Sequence, residues 1–266
     1  MLSPLYGQLS PLRVPTILAP DPDALAYIAA VETADGATLE DGVKSAINNF
    51  VAGCKSDGIW SAIKSSCILA GARTLSGALV PLVGAAPTSI SFVSGDYNRK
   101  TGLAGNSTTK YLNSNRAADA DPQNNASLAI WVSTPATSTN LYYLGALRTT
   151  PTPQVFSGIS TNVGFSLRNT ASAPNSNRTG TGMAGVSRTA SNSLNWRWAG
   201  ATGISTSAST GTYNGNLFVY GSNTNGAIAT RSNGRLAFYS IGESLNLALL
   251  DSRVSNLMTA LAAAIP

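Results

Sequence analysis

NGNLFVYGSNTNGAIATRSNGRLAFYSIGE, residues Asn214 to Glu243, decides the fold class. It holds two compact apolar runs, Leu217–Tyr220 and Leu236–Ile241, separated by a Gly- and Asn-rich interval. Each run is too short for a globular helix and has the length and residue types of a strand. Asn-Gly pairs at Asn214, Asn225 and Asn233 supply backbone that enters left-handed conformations readily and so mark tight turns. Neither run can bury its side chains alone, so both belong to a larger sheet.

Working back toward the amino terminus, the same pattern recurs. Strands are predicted at Ile90–Val93, Thr109–Asn113, Leu128–Ser133, Leu141–Ala146, Val163–Arg168, Met183–Arg188 and Leu194–Ala199, divided by spacers of Gly, Asn, Pro and Ser. Leu194, Asn195, Trp196, Arg197 and Trp198 alternate, so Leu194, Trp196 and Trp198 should share one face. This count and spacing predict a mainly β, two-layer antiparallel sandwich of jelly-roll type over residues 88–245.

The flanks read differently. Residues 246–266 carry Leu247, Leu250, Val254, Leu257, Met258, Leu261 and Ile265 at spacings of three and four, the stripe of an amphipathic helix. That helix packs against the sandwich edge or the amino-terminal helices, or forms a short coiled coil at a threefold or twofold axis. Residues 21–87 read as a helical module and linker. Asp21-Pro22 caps a first helix that ends at Gly36, Thr38 caps a second, and Asp57 starts a short third through Ile59, Trp60 and Ile63. Residues 1–20 have proline at 4, 11, 15 and 20 yet carry Leu5, Tyr6, Leu9, Leu12, Val14 and Ile17. Such an extended apolar arm packs across its own domain or docks on a neighbouring subunit. With Leu257, these side chains are the expected assembly contacts.

Composition limits the chemistry. Of the 266 residues 43% are hydrophobic and only 11% charged, so the polar surface is built from Ser, Thr and Asn. The net charge of +5 is dispersed rather than gathered into a patch, which argues against direct nucleic-acid binding. Histidine is absent and there are two cysteines, Cys54 and Cys67, so neither a Cys/His zinc cluster nor a Ser–His nucleophile can be assembled. The cysteines read as buried thiols in a helical region or as a disulfide. No cofactor is expected. Neither an export signal nor an apolar segment of about 20 residues is evident, so no membrane partner is expected.

The acids of the β region are Asp96, Asp119, Asp121 and Glu243. Asp119 and Asp121 belong to a turn near Pro122. With Asn124 or Asn125 they offer a thin set of oxygens for calcium, and the turn reading is preferred. Glu243 is placed to cap the following helix. Glycoside hydrolysis needs two carboxylates brought to one cleft; no such pair is expected among these acids, and no enzyme activity is expected. Saccharide binding needs aromatic faces beside amides and hydroxyls. Trp131, Tyr142, Trp196, Trp198 and Tyr213 are the candidate contacts.

Asp96-Tyr97-Asn98-Arg99-Lys100-Thr101-Gly102-Leu103 and Gly105-Asn106-Ser107-Thr108-Thr109-Lys110-Tyr111-Leu112 resemble the opening of a concanavalin A-like (LamG-like) sandwich found in tailed-bacteriophage structural proteins, with Asn106 where Asp is frequent. Gly234 to Leu245 resembles its closing strand, and Asp41 to Arg73 the helical module that precedes it. The resemblance implies a non-enzymatic virion protein assembled in the host cytoplasm. Such a protein would be a capsid or tail decoration, cement or fibre component, oligomeric and attached through its amino-terminal region to other virion proteins. The alternative it leaves open is a lectin-like tail-fibre module that binds host-surface glycans.

Overall fold

The computed structural model describes residues 20–137, 141–147, 153–159, 162–169, 173–175, 180–211 and 213–266. Leu5, Tyr6, Leu9, Leu12, Val14 and Ile17, the expected arm contacts, lie outside the described residues.

The chain opens with helices α1 (Pro22–Asp35) and α2 (Asp41–Ser56), then strand β1 (Ile63–Ile68) and the single-turn helix α3 (Leu75–Ala78). Strands β2 (Thr88–Ile90), β3 (Tyr97–Asn98), β4 (Gly102–Ala104), β5 (Tyr111–Ala117), β6 (Ala126–Thr134) and β7 (Leu141–Leu147) follow. Next come β8 (Pro153–Ile159), β9 (Asn162–Phe165), β10 (Ala173–Asn175), β11 (Gly182–Ala190), β12 (Ser193–Trp198) and β13 (Ala201–Thr206). The set ends with β14 (Asn216–Val219), β15 (Ser222–Thr224), β16 (Ala227–Ala229), β17 (Arg235–Gly242) and helix α4 (Leu247–Ala264).

The strands form the two-layer sandwich that the sequence predicts. One sheet runs β13-β12-β11-β6-β17-β4-β3, the other β10-β9-β8-β7-β14-β5-β2. Ladder pairing among the described residues is antiparallel except where β15 joins β7 in parallel, and an isolated parallel bridge links Tyr142 to Arg231. Leu128, Ile130 and Val132 of β6 point between the sheets with Val186, Leu194, Trp198 and Ile241, facing Leu112, Leu144, Leu217 and Val219 of the second sheet.

The first sheet has a second, equally buried face. Ala129, Met183 and Phe238 point away from the sandwich and meet Val43, Ile47 and Phe50 of α2 with Leu250, Val254, Leu257 and Leu261 of α4. Phe50 meets Phe238 edge-on at 5.7 Å and 68°. A bulge at Ala237 makes this double burial work: Leu236 pairs with Val132 but Phe238 with Trp131, so Ala237 and Phe238 both turn to the helices. The molecule is therefore three layers deep, helices on sheet on sheet. No helix among the described residues is long and apolar enough to cross a membrane.

Several local expectations change. The third helix is a 3-10 turn, Trp60–Ala62, that leads into β1. Residues 63–68 instead pair with the edge of β17, from Ile63 opposite Gly242 to Ile68 opposite Phe238. A strand there satisfies backbone groups that β17 would otherwise leave bare inside the molecule. Cys67 thus sits on a strand, not a helix. Both cysteines are free and buried. Asp21 and Pro22 start α1 as expected, and Gly36 ends it at φ 65°. Thr38 does not cap α2; Glu40 precedes its first turn without a side-chain cap, and the Thr38 carbonyl accepts from Arg73 Nε at 2.5 Å. Asn246, rather than Glu243, caps α4, accepting from the amides of Ala248 and Leu249 at 3.0 and 3.2 Å. Glu243 pairs with Lys64 at 3.3 Å. Leu257 is 2% exposed and part of the helix-and-sheet core, so it is not available as an assembly contact.

Candidate functional site

Strands β12 and β13 form a hairpin at the rim of the first sheet. Ala199 and Gly200 turn it with φ of 46° and 85°, the left-handed pair that matches strand twist. Register places Asn195 opposite Ile204 and Arg197 opposite Thr202. Alternation then sends Leu194, Trp196 and Trp198 into the sandwich and Asn195, Arg197, Thr202 and Ile204 to the helix side.

Helix α4 covers only part of that outward face. The chain leaving β17 crosses the end of β11, where the Leu245 amide donates to Ser187 Oγ at 3.2 Å, and enters α4 at Asn246. Arg197 is closed off by Asp251 of α4 at 2.6 Å. Beyond this contact the β12–β13 surface is bare, and a groove of about 600 Å³ remains. Its apolar side is Leu245, Leu247 and Ile204; its polar side is Thr189, Asn195, Thr202 and Asn246.

Two features set the groove's chemistry. Ile204 is 74% exposed, an aliphatic side chain left uncovered on an otherwise polar strand. Nothing lining the groove is charged. The Asn195 amide has no hydrogen-bond partner among the described residues and so presents both donor and acceptor. Thr202 Oγ1 accepts from Arg197 at 3.1 Å and keeps its proton to donate. The Asn246 oxygen is used by the α4 cap, which leaves its NH₂ free to donate.

The five aromatic residues singled out from the sequence are not brought together. Trp198 is 1% exposed inside the sandwich and cannot meet a ligand. Trp196 is on the same inner face, stacked on Phe165 at 5.5 Å and 8°. Tyr213 is 9% exposed and packs into the same core. Trp131 is half-buried against the helix-side core, and Tyr142 half-buried in the second sheet. Trp198 and Tyr213 are therefore withdrawn as candidate contacts, being core residues. Trp196 backs the groove from beneath Gly203 rather than lining it.

Two other grooves are charged. Trp60, an aromatic that the sequence assigns to a helix face, lines one of about 380 Å³ with Tyr27, Asp23 and Leu82. Its indole donates to Asp23 at 3.2 Å, and Lys55 binds both Asp21 and Asp23 at 2.7 Å. Another of about 580 Å³ runs between α1 and α2 past the Glu32–Lys44 pair.

The acids are engaged elsewhere. Nine of the twelve acidic side chains close ion pairs with Lys or Arg. Asp121 pairs with Arg116 at 2.5 Å, and Asn125 Oδ1 accepts from the Ser244 amide at 2.8 Å, so the expected Asx turn is a structural staple. No group of three or more His, Cys, Asp or Glu able to hold a metal is found among the described residues.

No protein-family model matches the sequence, and no curated protein matches it. Solved structures with a similar course of chain include the binding domain of botulinum neurotoxin serotype D, with TM-score 0.48, 9% identity, and cover of 77% of this chain and 52% of that one. A Trypanosoma rangeli sialidase mutant displaying trans-sialidase activity gives 0.49 and 12%, covering 82% and 39%. The CBM40 of Ruminococcus gnavus IT-sialidase bound to α2,3 sialyllactose gives 0.34 and 13%, covering 49% and 82%. The chain spans about half or less of the length of the first two. At these scores nothing about a ligand passes to this chain, and the placement on a phage particle rests on the sequence resemblance alone.

Proposed function

We propose that the chain is a non-catalytic recognition module whose β12–β13 groove takes an uncharged, hydroxyl-rich ligand of the saccharide class. One observation carries this reading: a groove of about 600 Å³ with an aliphatic wall faces uncharged amides and hydroxyls, the Asn195 side-chain amide among them having no hydrogen-bond partner among the described residues. That volume is in the range of small-ligand sites. Aliphatic side chains suit the C–H face of a sugar ring, and Asn195, Thr202 and Asn246 offer the paired donors and acceptors its hydroxyls need. An ionised ligand would find no counter-charge there. The engagement of most carboxylates in ion pairs supports the non-catalytic part of the reading, because a free acid and base are what glycoside hydrolysis requires.

The test is a titration of neutral oligosaccharides against the labelled protein by NMR, with Asn195→Ala and Thr202→Val alongside. Shifts centred on Thr189, Asn195, Thr202 and Ile204, with at least tenfold weaker binding in Asn195→Ala, are expected. Binding that ignores both substitutions, or none across the panel, overturns the reading.

Attachment to a larger assembly, the virion of the sequence resemblance, is a second reading. It is favoured by α1, whose outward side is apolar and bare around Leu25, 50% exposed. Loss of incorporation on deleting residues 1–20, with the sandwich still folded, is its test.

A further inference from the structure

The two sheet orders end on β13, β3, β10 and β2, and three of these ends are short: β2 and β10 have three residues and β3 two. β13 has six. It pairs with β12 without a register shift and has no strand on its other side among the described residues. Folded proteins blunt a long sheet edge with charge, proline or a bulge, because bare ladder groups recruit another chain. β13 has none of these, and the chain carries no charged residue between Arg197 and Arg231. Its middle instead holds Ile204, the most exposed large hydrophobic side chain among the described residues.

The ladder fixes which backbone groups are bare. The Ala199 amide donates to Met183 of β11 at 3.0 Å, and the Ser207 amide donates to Asn192 at 3.1 Å, back across the hairpin. The direction of N–H and C=O alternates from residue to residue along a strand. The groups of Ala201, Gly203 and Ser205 therefore face β12, as that of Ser207 does. Those of Thr202, Ile204 and Thr206 face away from it, and all three residues are exposed.

We propose that β13 pairs antiparallel with β13 of a second copy of this chain, about a twofold axis at Ile204, joining two first sheets into one. The strand is its own complement in that register. Ile204 lies opposite Ile204 of the partner subunit and Thr202 opposite Thr206 of the partner subunit, so every outward group is paired, with about six hydrogen bonds in all. Side chains of these residues stand on the helix side of the sheet. The two isoleucines thus meet across the axis, flanked by threonine pairs, and each covers the other's apolar surface. Nothing charged lies on either strand, so no like charges are brought together. A second copy is the occupant because the same uncharged patch serves both partners, as a twofold contact requires. One strand pair is smaller than the interface of an obligate dimer, so association should grow with concentration. Ile204 also walls the β12–β13 groove, so in the dimer two grooves open on one face, on either side of the isoleucine pair. The pairing itself does not depend on what the groove binds.

The test is sedimentation equilibrium of the full chain, without saccharide, from micromolar to near-millimolar protein. Wild type is compared with Ile204→Lys, with Ile204→Glu and with an equimolar mixture of the two. Wild type should pass from monomer to dimer. Each variant alone should associate at least tenfold more weakly, because like charges then face each other on the axis, and the mixture should recover. In wild type at dimer-forming concentration, hydrogen exchange should slow at least tenfold at the amides of Thr202, Ile204 and Thr206. Exchange at Ala201, Gly203 and Ser205, already bonded to β12, should not change. A monomer at every concentration would leave the edge to an extended segment of some other protein and overturns the proposal. So does protection that falls elsewhere, or a mixture no better than either variant alone. The saccharide titration is run on dilute monomer, so either idea can fail without the other.

Discussion

Gly203 lies against the indole of Trp196, so close that a methyl group at Gly203 would fall 2.2 Å from Trp196 Cζ2. The two are register partners on β13 and β12 and share the inner face of the sheet. Trp196 is in turn fixed by its stack on Phe165. The wall of the candidate groove and the sandwich core are therefore one packed unit.

Gly203→Ala is expected to lower stability by about 1–3 kcal/mol, the cost of forcing an extra carbon into a packed site. Gly211→Ala is the control, because a methyl group added there would meet no heavy atom within 4 Å. Urea denaturation of both variants decides it. Equal midpoints would mean that Trp196 gives way freely and does not back the groove.

Leu257→Ala should cost about 2–5 kcal/mol, the range for a truncated buried leucine, with no change in oligomeric state. Leu257 is 2% exposed between α4 and the surface formed by α2. A loss of self-association without loss of stability would return it to the assembly contacts expected from the sequence.

What the sequence disclosed depended on how each segment is buried. Strands β6, β11 and β17 were legible because both of their faces are covered, which favours apolar residues at successive positions, as in Leu236–Tyr239. Strands β1 and β13 were not. Ile63-Lys64-Ser65-Ser66-Cys67-Ile68 is held by its ladder to β17, and Ala201–Thr206 shows one large apolar residue, Ile204, pointing to solvent. The candidate site was hidden for a related reason. It joins Thr189, the β12–β13 hairpin and residues 245–248, none of which carries a motif. The aromatic residues drew attention because saccharide sites use such rings, but in this chain Trp196, Trp198 and Tyr213 supply core volume instead.

Cys54 and Cys67 should be inert toward thiol reagents in the native protein. Burial pushes both thiols up to about 12, so at pH 8 almost no reactive thiolate exists. With a chromogenic disulfide reagent, no release is expected before unfolding and two equivalents after it. Rapid native labelling of either residue would place it on a mobile or exposed segment, contrary to its burial in the fold.

The Arg99–Glu40 contact joins the sandwich to the helical layer and carries a pH signature. Arg99 donates to both carboxylate oxygens of Glu40, at 3.1 and 2.7 Å, and Arg73 approaches at 3.3 Å. The Arg99 hydrogen bonds hold the Glu40 carboxyl at about 2, against an ordinary value of 4.5. A carboxyl whose folded value is depressed stabilises the fold fully above its unfolded value, and that contribution is lost as pH falls toward the folded one. Glu40→Gln should therefore cost about 1 kcal/mol at pH 7, the upper end for a partly exposed pair. The gap from wild type should hold down to about pH 4.5 and then close as pH approaches 2. Comparing the two proteins cancels the other acids with lowered values, such as Asp57 beside Arg253. A gap that stays constant across that window would show that Glu40 contributes through packing alone and that its pairing with Arg99 adds no net stability.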